Sequence, residues 1–279
     1  MIQSDAFFKG WAKPGPIAPG AARGDAPEAG ETLDAISGYF RLFQYADGHR
    51  FSTDDLLAAW YGTTWCPSAR TALDLGSGIG TVGMIAAWRL PGARFVTVEA
   101  QDISVKLARK SAHYNGIEER YDIRQGDFRD AGVLAPDERF DLITGSPPYF
   151  PLGTGILGDH PQKIACRFEV RGDVSDYCAV TARHLALGGV FAGVMPANMR
   201  DRVEKGARDA GLSLVRGREV IAREGEPPLL WVFLLMRATD LPEKYRADTW
   251  NEPPLTIRCK DGSVHPEYRA VKLAIGFPP

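Results

Sequence analysis

Short apolar runs alternate with helical stretches along the middle of the chain. Between residues 71 and 195 the apolar, strand-like runs are short and buried in character, and the stretches between them carry apolar residues at helical spacing. Continuous apolar runs are typical of strands that are buried on both faces of a parallel sheet. The pattern predicts strands over residues 72–75, 94–99, 121–125, 140–144 and 190–194. It predicts helices over residues 81–90, 103–115 and 174–187, two of which are followed by the helix stops Gly116 and Gly188. The sequence therefore predicts an α/β fold.

The same kind of pattern continues on the C-terminal side. Residues 199–210 predict another helix, and residues 212–220 and 229–236 predict two strands. A turn-rich segment over residues 223–228 joins these strands.

The N-terminal side predicts an arm, a hairpin and a helix. The first 30 residues are rich in Pro, Gly and Ala and show no sustained period, which is typical of a flexible arm. Alternating apolar and polar residues over 38–45, followed by the turn signal Asp47-Gly48, predict a short hairpin. The run Ser-Thr-Asp-Asp at 52–55 predicts a helix N-terminus. The predicted boundaries are 1–37 for the arm and 38–279 for the domain, with 38–62 for the hairpin and helix, 71–240 for a Rossmann-like core and 241–279 for a C-terminal extension.

The composition indicates a soluble protein. The chain has 279 residues, 44% of them hydrophobic, which suffices for a well-filled core. The longest apolar run, residues 229–236, is far shorter than the roughly 20 residues that cross a bilayer, and the N-terminus lacks a basic segment followed by an apolar one. We therefore expect a cytoplasmic protein without a membrane segment. The four cysteines are scattered and His49 has no clustered partner, so no metal site is predicted.

A glycine-rich loop follows the first strand of the core. Residues 73–80 read Leu-Asp-Leu-Gly-Ser-Gly-Ile-Gly, and the glycines let the backbone turn tightly and approach a ligand. The third glycine comes one residue earlier than in the dinucleotide pattern Gly-x-Gly-x-x-Gly. Asp74 suits a cationic amino group, which favours S-adenosylmethionine (SAM) over a nicotinamide cofactor. The predicted SAM contacts in this segment are Asp74, Gly76, Ser77, Gly78 and Gly80.

Carboxylates also close the next two strands. Glu99 ends the second strand, where a carboxylate can accept hydrogen bonds from both ribose hydroxyls. Asp127 follows the third strand and can accept a hydrogen bond from the adenine amino group, with Phe128 beside the ring. Because the carboxyl ends of parallel strands meet at one edge of a sheet, these side chains complete a predicted SAM site.

The tetrad Ser146-Pro147-Pro148-Tyr149 follows the fourth strand. Two successive prolines end the strand and stiffen the backbone. The Ser146 hydroxyl and the Pro147 carbonyl can then accept hydrogen bonds from a planar amine, while Tyr149 offers a face for stacking. We predict Ser146, Pro147 and Tyr149 as catalytic residues, with Ser146 also next to the cofactor.

A long irregular segment follows the tetrad. Residues 153–172 show no clear period, and such loops are commonly functional lids, so we interpret this one as a substrate lid. The net charge of −2 requires any nucleic-acid surface to be a local patch. Lys163, Arg167 and Arg171 can contact phosphates there, and Lys163 and Arg167 are the predicted substrate contacts. Tyr149 and Phe150 are the other predicted substrate contacts.

Together these motifs resemble a known class of enzymes. Residues 74–80, 99, 126–128 and 146–150 resemble the class I SAM-dependent methyltransferases that modify exocyclic amines. Residues 48–57, 147–150, 165–169 and 255–267 resemble the family that methylates adenine N6 in tRNA next to the anticodon. The resemblance covers most of residues 38–275. It implies a seven-stranded, mostly parallel sheet with helices on both faces and strand order 3-2-1-4-5-7-6, SAM as cofactor and tRNA as partner.

The tetrad departs from that family at its first position. The family has asparagine there, and Ser146 has no planar carbonyl and reaches less far. Ser-Pro-Pro-Tyr is instead typical of cytosine-N4 methyltransferases. The predicted function is methyl transfer from SAM to an exocyclic nucleobase amine, adenine N6 in tRNA. The alternatives left open are cytosine N4, a protein glutamine, a small-molecule amine, or SAM binding without catalysis.

Overall fold

Strands and helices alternate along the chain as the apolar pattern predicts. The computed structural model describes residues 6–151, 153 and 161–278. Its strands are β1 (Phe7–Phe8), β2 (Trp11–Ala12), β3 (Glu31–Ser37), β4 (Phe40–Tyr45), β5 (Thr71–Leu75), β6 (Arg94–Glu99), β7 (Tyr121–Gln125), β8 (Phe140–Gly145), β9 (Leu185–Pro196), β10 (Leu212–Arg223), β11 (Pro228–Arg237) and β12 (Trp250–Arg258). Its α-helices are α1 (Gly20–Arg23), α2 (Thr53–Trp65), α3 (Thr81–Arg89), α4 (Asp102–Asn115), α5 (Pro161–Arg167), α6 (Val174–His184), α7 (Arg200–Asp209) and α8 (Pro266–Ala274).

The main sheet has eight strands in the order β12-β10-β11-β9-β8-β5-β6-β7. Strands β5 to β9 run parallel to their neighbours in this set, and β11 is antiparallel to both β9 and β10. Without β12, the order is the predicted 3-2-1-4-5-7-6. The predicted count of seven was wrong because β12 adds an eighth strand beside β10, parallel to it. β12 contains Pro253 and Pro254, which an edge strand tolerates but which hide it from pattern analysis.

Side chains on the parallel strands alternate between two cores. Ala72 and Leu142 belong to the core shared with α2 and α3, whereas Leu73 and Ile143 belong to the core shared with α6 and α7. All four are almost inaccessible to solvent. Helices therefore cover the sheet on both faces, as the continuous apolar runs predict.

The N-terminal hairpin lies earlier in the chain than predicted. β3 and β4 pair antiparallel with Glu31 opposite Tyr45, and Gly38 makes the turn with φ of 51°. The chain does turn at Asp47-Gly48, where the Gly48 amide donates to the Tyr45 carbonyl at 3.3 Å, but this turn is not the hairpin turn. Strand β3 was missed because its mixed sequence, Glu-Thr-Leu-Asp-Ala-Ile-Ser, shows no clean alternation. The hairpin thus begins inside the segment that was predicted as an arm. Helix α6 also ends at His184, earlier than predicted, because β9 begins at Leu185.

Helix α8 closes the fold beside α2. His265 caps α8 by accepting a hydrogen bond from the Glu267 amide at 3.3 Å, and Tyr268 is buried. The Phe277 ring meets the Phe51 ring edge to face at 6.3 Å. Among the described residues no helix combines the length and the apolar character needed to span a membrane.

Candidate active site

A cavity of about 670 Å³ lies at the carboxyl ends of β5, β6 and β8, next to the N-terminus of α2. Its volume is within the range of ligand pockets, which is about 300 to 1,000 Å³. The residues predicted from sequence that line it are Asp74, Gly76, Ser77, Gly78, Glu99, Asp127, Phe128, Ser146, Pro147, Tyr149, Phe150, Lys163 and Arg167. Gly80 is not part of the wall; it precedes α3 with φ of 91°. One cavity thus brings together the glycine loop, the strand-end carboxylates and the tetrad.

The glycine loop is packed against a residue that the sequence did not single out. Gly76 has φ of 60°, and a Cβ there would overlap the hydroxyl of Tyr177 on α6. Tyr177 is 4% exposed, lines the cavity, and meets Phe128 edge to face at 4.7 Å. An aromatic residue at helical spacing reads as core, so the pattern carried no signal for Tyr177. Ser77 Oγ is buried without a hydrogen-bond partner in the described part of the chain, as expected where a polar ligand binds.

Glu99 joins the glycine loop to the end of β6. Its carboxylate accepts hydrogen bonds from the amides of Gly78 at 2.8 Å and Gln101 at 2.7 Å. Burial raises the pKa of Glu99, and the two amide donors oppose that rise. Each carboxylate oxygen holds one amide and can accept a further hydrogen bond. The side chain can therefore hold a ligand that donates two hydroxyl groups.

Asp74 connects β5, β8 and α3. Its Oδ1 accepts a hydrogen bond from Thr144 Oγ1 at 2.7 Å, and its Oδ2 accepts one from the Gly83 amide at 3.1 Å. Burial raises the pKa of Asp74 to about 7, despite these two donors. The predicted contact between Asp74 and a cationic amino group stays a prediction.

Asp127 is paired with its neighbour Arg129. The guanidinium donates to both carboxylate oxygens, at 2.9 Å and 2.6 Å, and lowers the pKa of Asp127. The predicted contact of Asp127 with an adenine amino group stays a prediction. Phe128 is buried beside it, with its ring against Tyr177.

Tyr149 is held at its hydroxyl by a residue of α2. The phenol donates to Asp54 Oδ2 at 2.8 Å, and the Ser146 hydroxyl also bonds to it. Burial, followed by the charge of Asp54, raises the pKa of Tyr149 well above its usual value. Ser52 and Asp55 form a capping box that fixes the first turn of α2, which carries Asp54. The sequence placed Asp54 in a helix start and gave no sign of this contact.

The backbone after the tetrad is tied to the end of α5. The amides of Tyr149 and Phe150 both donate to the Arg167 carbonyl, at 3.1 Å and 3.0 Å. The rings of Phe150 and Phe168 lie 5.6 Å apart. Residues 154–160 of the predicted lid lie outside the described residues. The described part of that segment places Lys163 in the cavity wall with Arg167.

Acidic and basic groups share this cavity. The acidic residues are Asp54 and Asp55 of α2 and Glu99 of β6. The basic residues are Lys163 and Arg167 of α5 and Arg171 in the turn after it. Burial and the neighbouring Asp54 raise the pKa of Asp55 well above its usual value. The arrangement suits a ligand with neutral or cationic groups inside the cavity and an anionic group near the cations.

His49 lies next to this cation group. Its pKa is lowered by burial, and also by the charges of Arg167 and Lys163, against the attraction of Asp54. The His49 amide donates to the Gln162 side chain at 2.9 Å, which ties α5 to the segment before α2. No group of three or more His, Cys, Asp or Glu side chains suited to a metal ion occurs within residues 6–151, 153 and 161–278.

Comparisons with known proteins agree with this geometry. Residues 55–155 match the family model of the methyltransferase small domain. A tRNA1(Val) (adenine(37)-N6)-methyltransferase from Vibrio parahaemolyticus is 30% identical over 218 residues, which are 77% of this chain and 84% of the relative. The chain belongs to this methyltransferase family. The predicted family resemblance is thereby confirmed.

Two further comparisons set the extent of the similarity. A protein of the same name from Porphyromonas gingivalis is 35% identical over 169 residues, 59% of this chain, and the match spans only 64% of that relative's length. A predicted O-methyltransferase from Agrobacterium tumefaciens superposes with a TM-score of 0.61 over 81% of this chain and 98% of its own, at 16% identity. The second comparison confirms the predicted α/β methyltransferase fold.

Proposed function

We propose that this protein transfers a methyl group from SAM to an exocyclic nucleobase amine, N6 of an adenine beside the anticodon of a tRNA. The observation that carries the proposal is that Ser146 and Tyr149 share one cavity with the glycine loop and Glu99. The names of the two relatives support adenine in tRNA as the substrate. A tRNA substrate implies a protein of the cytoplasm.

The residues at the ends of β5 and β6 fit SAM. The Ser77 hydroxyl, which has no partner among the described residues, and the remaining acceptor positions of Glu99 match a ligand rich in hydroxyl and amino groups. Gly76, Gly78 and Glu99 would hold the ribose and amino acid portions, and Phe128 would lie beside the adenine with Tyr177 behind it. SAM, when bound, supplies a methyl group already activated on a sulfonium.

The tetrad acts on the amine that receives the methyl group. An exocyclic amine delocalises its lone pair into the ring, and hydrogen bonds from its N–H groups to Ser146 Oγ and the Pro147 carbonyl localise that pair on nitrogen. Tyr149 stacks on the base, and its bond to Asp54 fixes the position of the hydroxyl end of the ring. Holding the amine in line with the methyl group would provide much of the acceleration. The N–C bond would form as the S–C bond breaks and S-adenosylhomocysteine leaves, and the methylated nitrogen would lose one proton to solvent.

The substrate has to leave its own stack to reach this cavity. A base in a single-stranded loop flips outward more easily than one in a duplex, which favours an anticodon loop. Phe150 lies beside Tyr149 and is 40% exposed, so it can contact the flipped nucleotide. Lys163 and Arg167 then bind the adjacent phosphates.

Labelled methyl transfer tests the proposal directly. The protein is incubated with tritiated SAM and separate pools of tRNA, rRNA, DNA and protein, and the labelled pool is digested to nucleosides or amino acids. We expect label in tRNA as N6-methyladenosine. Label in protein or in no pool would refute the proposed substrate.

A matched variant tests the role of the tetrad. Tyr149→Ala removes the stacking face without touching the glycine loop, so transfer should fall by a factor of ten or more while SAM affinity stays the same. Full activity in this variant would mean that residues 146–149 are only a strand-ending turn.

Cytosine N4 is the second candidate because the tetrad begins with serine. Cytosine also presents an exocyclic amine to Ser146 and Pro147, and a shorter side chain changes the room left for the base. The nucleoside digest distinguishes the two, since N4-methylcytidine and N6-methyladenosine separate by chromatography.

A further inference from the structure

The C-terminal unit, defined as β12, α8 and the chain between and after them (residues 250–278), is attached to the cavity wall. The Tyr268 hydroxyl bonds to Thr53, the first residue of α2. Phe277 packs against Phe51, which lines the cavity. The proposed methyl transfer gives this unit no role, although it is held next to the residues that perform it.

Arg258, Arg269 and Lys272 are cations of this unit that have no carboxylate partner among the described residues. Arg258 at the end of β12 and Arg269 on α8 are exposed, and Lys272 follows Arg269 by one helical turn. Within the described part of the chain none of the three forms an ion pair. The nearby carboxylates are bound elsewhere, because Glu267 pairs with Arg218 and Asp261 accepts hydrogen bonds from Ser263.

The three charges also act on one another. The pKa of Lys272 is lowered by burial, and then by the charges of Arg269 and Arg258. The Lys272 ammonium stands 5.3 Å from the centre of the Phe277 ring. Phe277 in turn packs against Phe51 of the cavity wall, so Phe277 lies between Lys272 and that wall. Like charges held together raise the free energy of the protein unless an anion neutralises them.

We propose that Arg258, Arg269 and Lys272 form a second phosphate-binding surface for the substrate RNA. This surface binds the RNA backbone outside the methylated nucleotide, while Lys163 and Arg167 bind phosphates at the cavity itself. The inference rests on the proposed function. A polyanion fits because three cations on one surface match several phosphates in succession, whereas a single carboxylate matches only one of them.

Salt-dependent binding of unmodified tRNA to the double variant Arg269→Ala/Lys272→Ala tests this surface. Each lost phosphate contact should reduce the magnitude of the slope of log affinity against log salt by about 0.7 to 0.9. The slope of the double variant should therefore be smaller in magnitude by between about one and two. We expect affinity at low salt to fall on the order of tenfold, and KM for RNA to rise by the same factor with kcat nearly unchanged. Calorimetry should show unchanged SAM affinity, which excludes misfolding as the cause.

Two control variants sharpen the test. Lys205→Ala/Arg208→Ala removes two exposed charges from α7, which contributes nothing to the cavity wall, and should leave the slope as it is. Arg269→Lys/Lys272→Arg keeps both charges and should retain binding. Equal slopes and affinities for wild type and Arg269→Ala/Lys272→Ala would refute the proposal that this surface binds RNA phosphates.

The two proposals fail in different ways. If wild-type protein methylates tRNA and the double variant binds it equally well, only the second surface is wrong. If wild-type protein neither binds nor methylates RNA, the proposed function is wrong and the surface falls with it.

Discussion

The bond between Tyr149 and Asp54 makes a quantitative prediction about catalysis. Asp54→Ala and Tyr149→Phe each remove the same 2.8 Å hydrogen bond, one from each side. A hydrogen bond to a charged group contributes about 1.5 to 3 kcal/mol. If the bond serves to orient the ring, that free energy is lost from the transition state, and each single variant should transfer methyl roughly 10- to 150-fold more slowly.

The double variant decides whether the two residues act as a pair. Asp54→Ala/Tyr149→Phe should be no slower than the slower single variant, which gives a coupling free energy of about 1.5 to 3 kcal/mol. The assay is a single-turnover rate at saturating SAM and RNA, and calorimetry checks that Tyr149→Phe binds SAM normally. Additive losses, or a full rate in Tyr149→Phe, would refute the orienting role.

Ser52 provides the matched control for that cycle. Its hydroxyl contacts Asp54, and Ser52 caps α2, but no hydrogen bond joins it to Tyr149 in the described part of the chain. Ser52→Ala should lower the free energy of unfolding by about 0.5 to 2 kcal/mol, which thermal denaturation measures. A coupling between Asp54 and Tyr149 that persists in this background would show that the pair does not depend on the contact between Ser52 and Asp54.

Three other variants test the cavity. Glu99→Ala removes the proposed acceptor for two ribose hydroxyls, so calorimetry should show SAM affinity reduced about tenfold or more, and unchanged affinity in a folded variant would remove Glu99 from the site. Because burial raises the pKa of Asp74 from 3.8 to about 7, the folded state keeps a proton that the unfolded state releases, and stability without SAM should fall between pH 4 and 7 by up to ~4 kcal/mol. Asp74→Asn should remove this fall in the free energy of unfolding, measured by urea denaturation across the same pH range. The same pH dependence in the variant and the wild type would contradict the raised pKa of Asp74. Ser146→Asn restores the amide of related tetrads and should raise transfer to adenine; abolished activity with a product other than N6-methyladenosine would move the substrate to another base.

The parallel core could be predicted from sequence because its signals are local. The strands at 94–99 and 121–125 have the predicted bounds. The first is mostly apolar and ends at Glu99, and the second, which lies at the edge of the sheet, alternates apolar and polar residues. The glycine and carboxylate positions at the strand ends follow from these strand bounds. That the predicted cofactor loop and the tetrad meet in one cavity could therefore be predicted without any knowledge of long-range contacts.

The missed features depend on tertiary structure. Tyr149 and Asp54 are 95 residues apart, and no pattern along the chain marks their contact. β12 depends on β10 as a template, and its prolines argue against a strand when read alone. Tyr177 looks like a core residue because it is one, and only the fold shows that the glycine loop lies against its hydroxyl.

The docking of the C-terminal unit has a consequence for the order of folding. The Gly38 amide donates to the Gly276 carbonyl at 2.5 Å, and Phe51 meets Phe277, so this corner closes only between distant parts of the chain. Closing such a loop costs more entropy than forming neighbouring contacts, and long-range contacts of this kind form slowly. We expect a chain emerging from the ribosome to complete β5 to β8 before Thr53 gains its partner Tyr268. Pulsed hydrogen exchange during refolding should show protection in β5 before α2, and simultaneous protection would mean that the corner folds with the sheet.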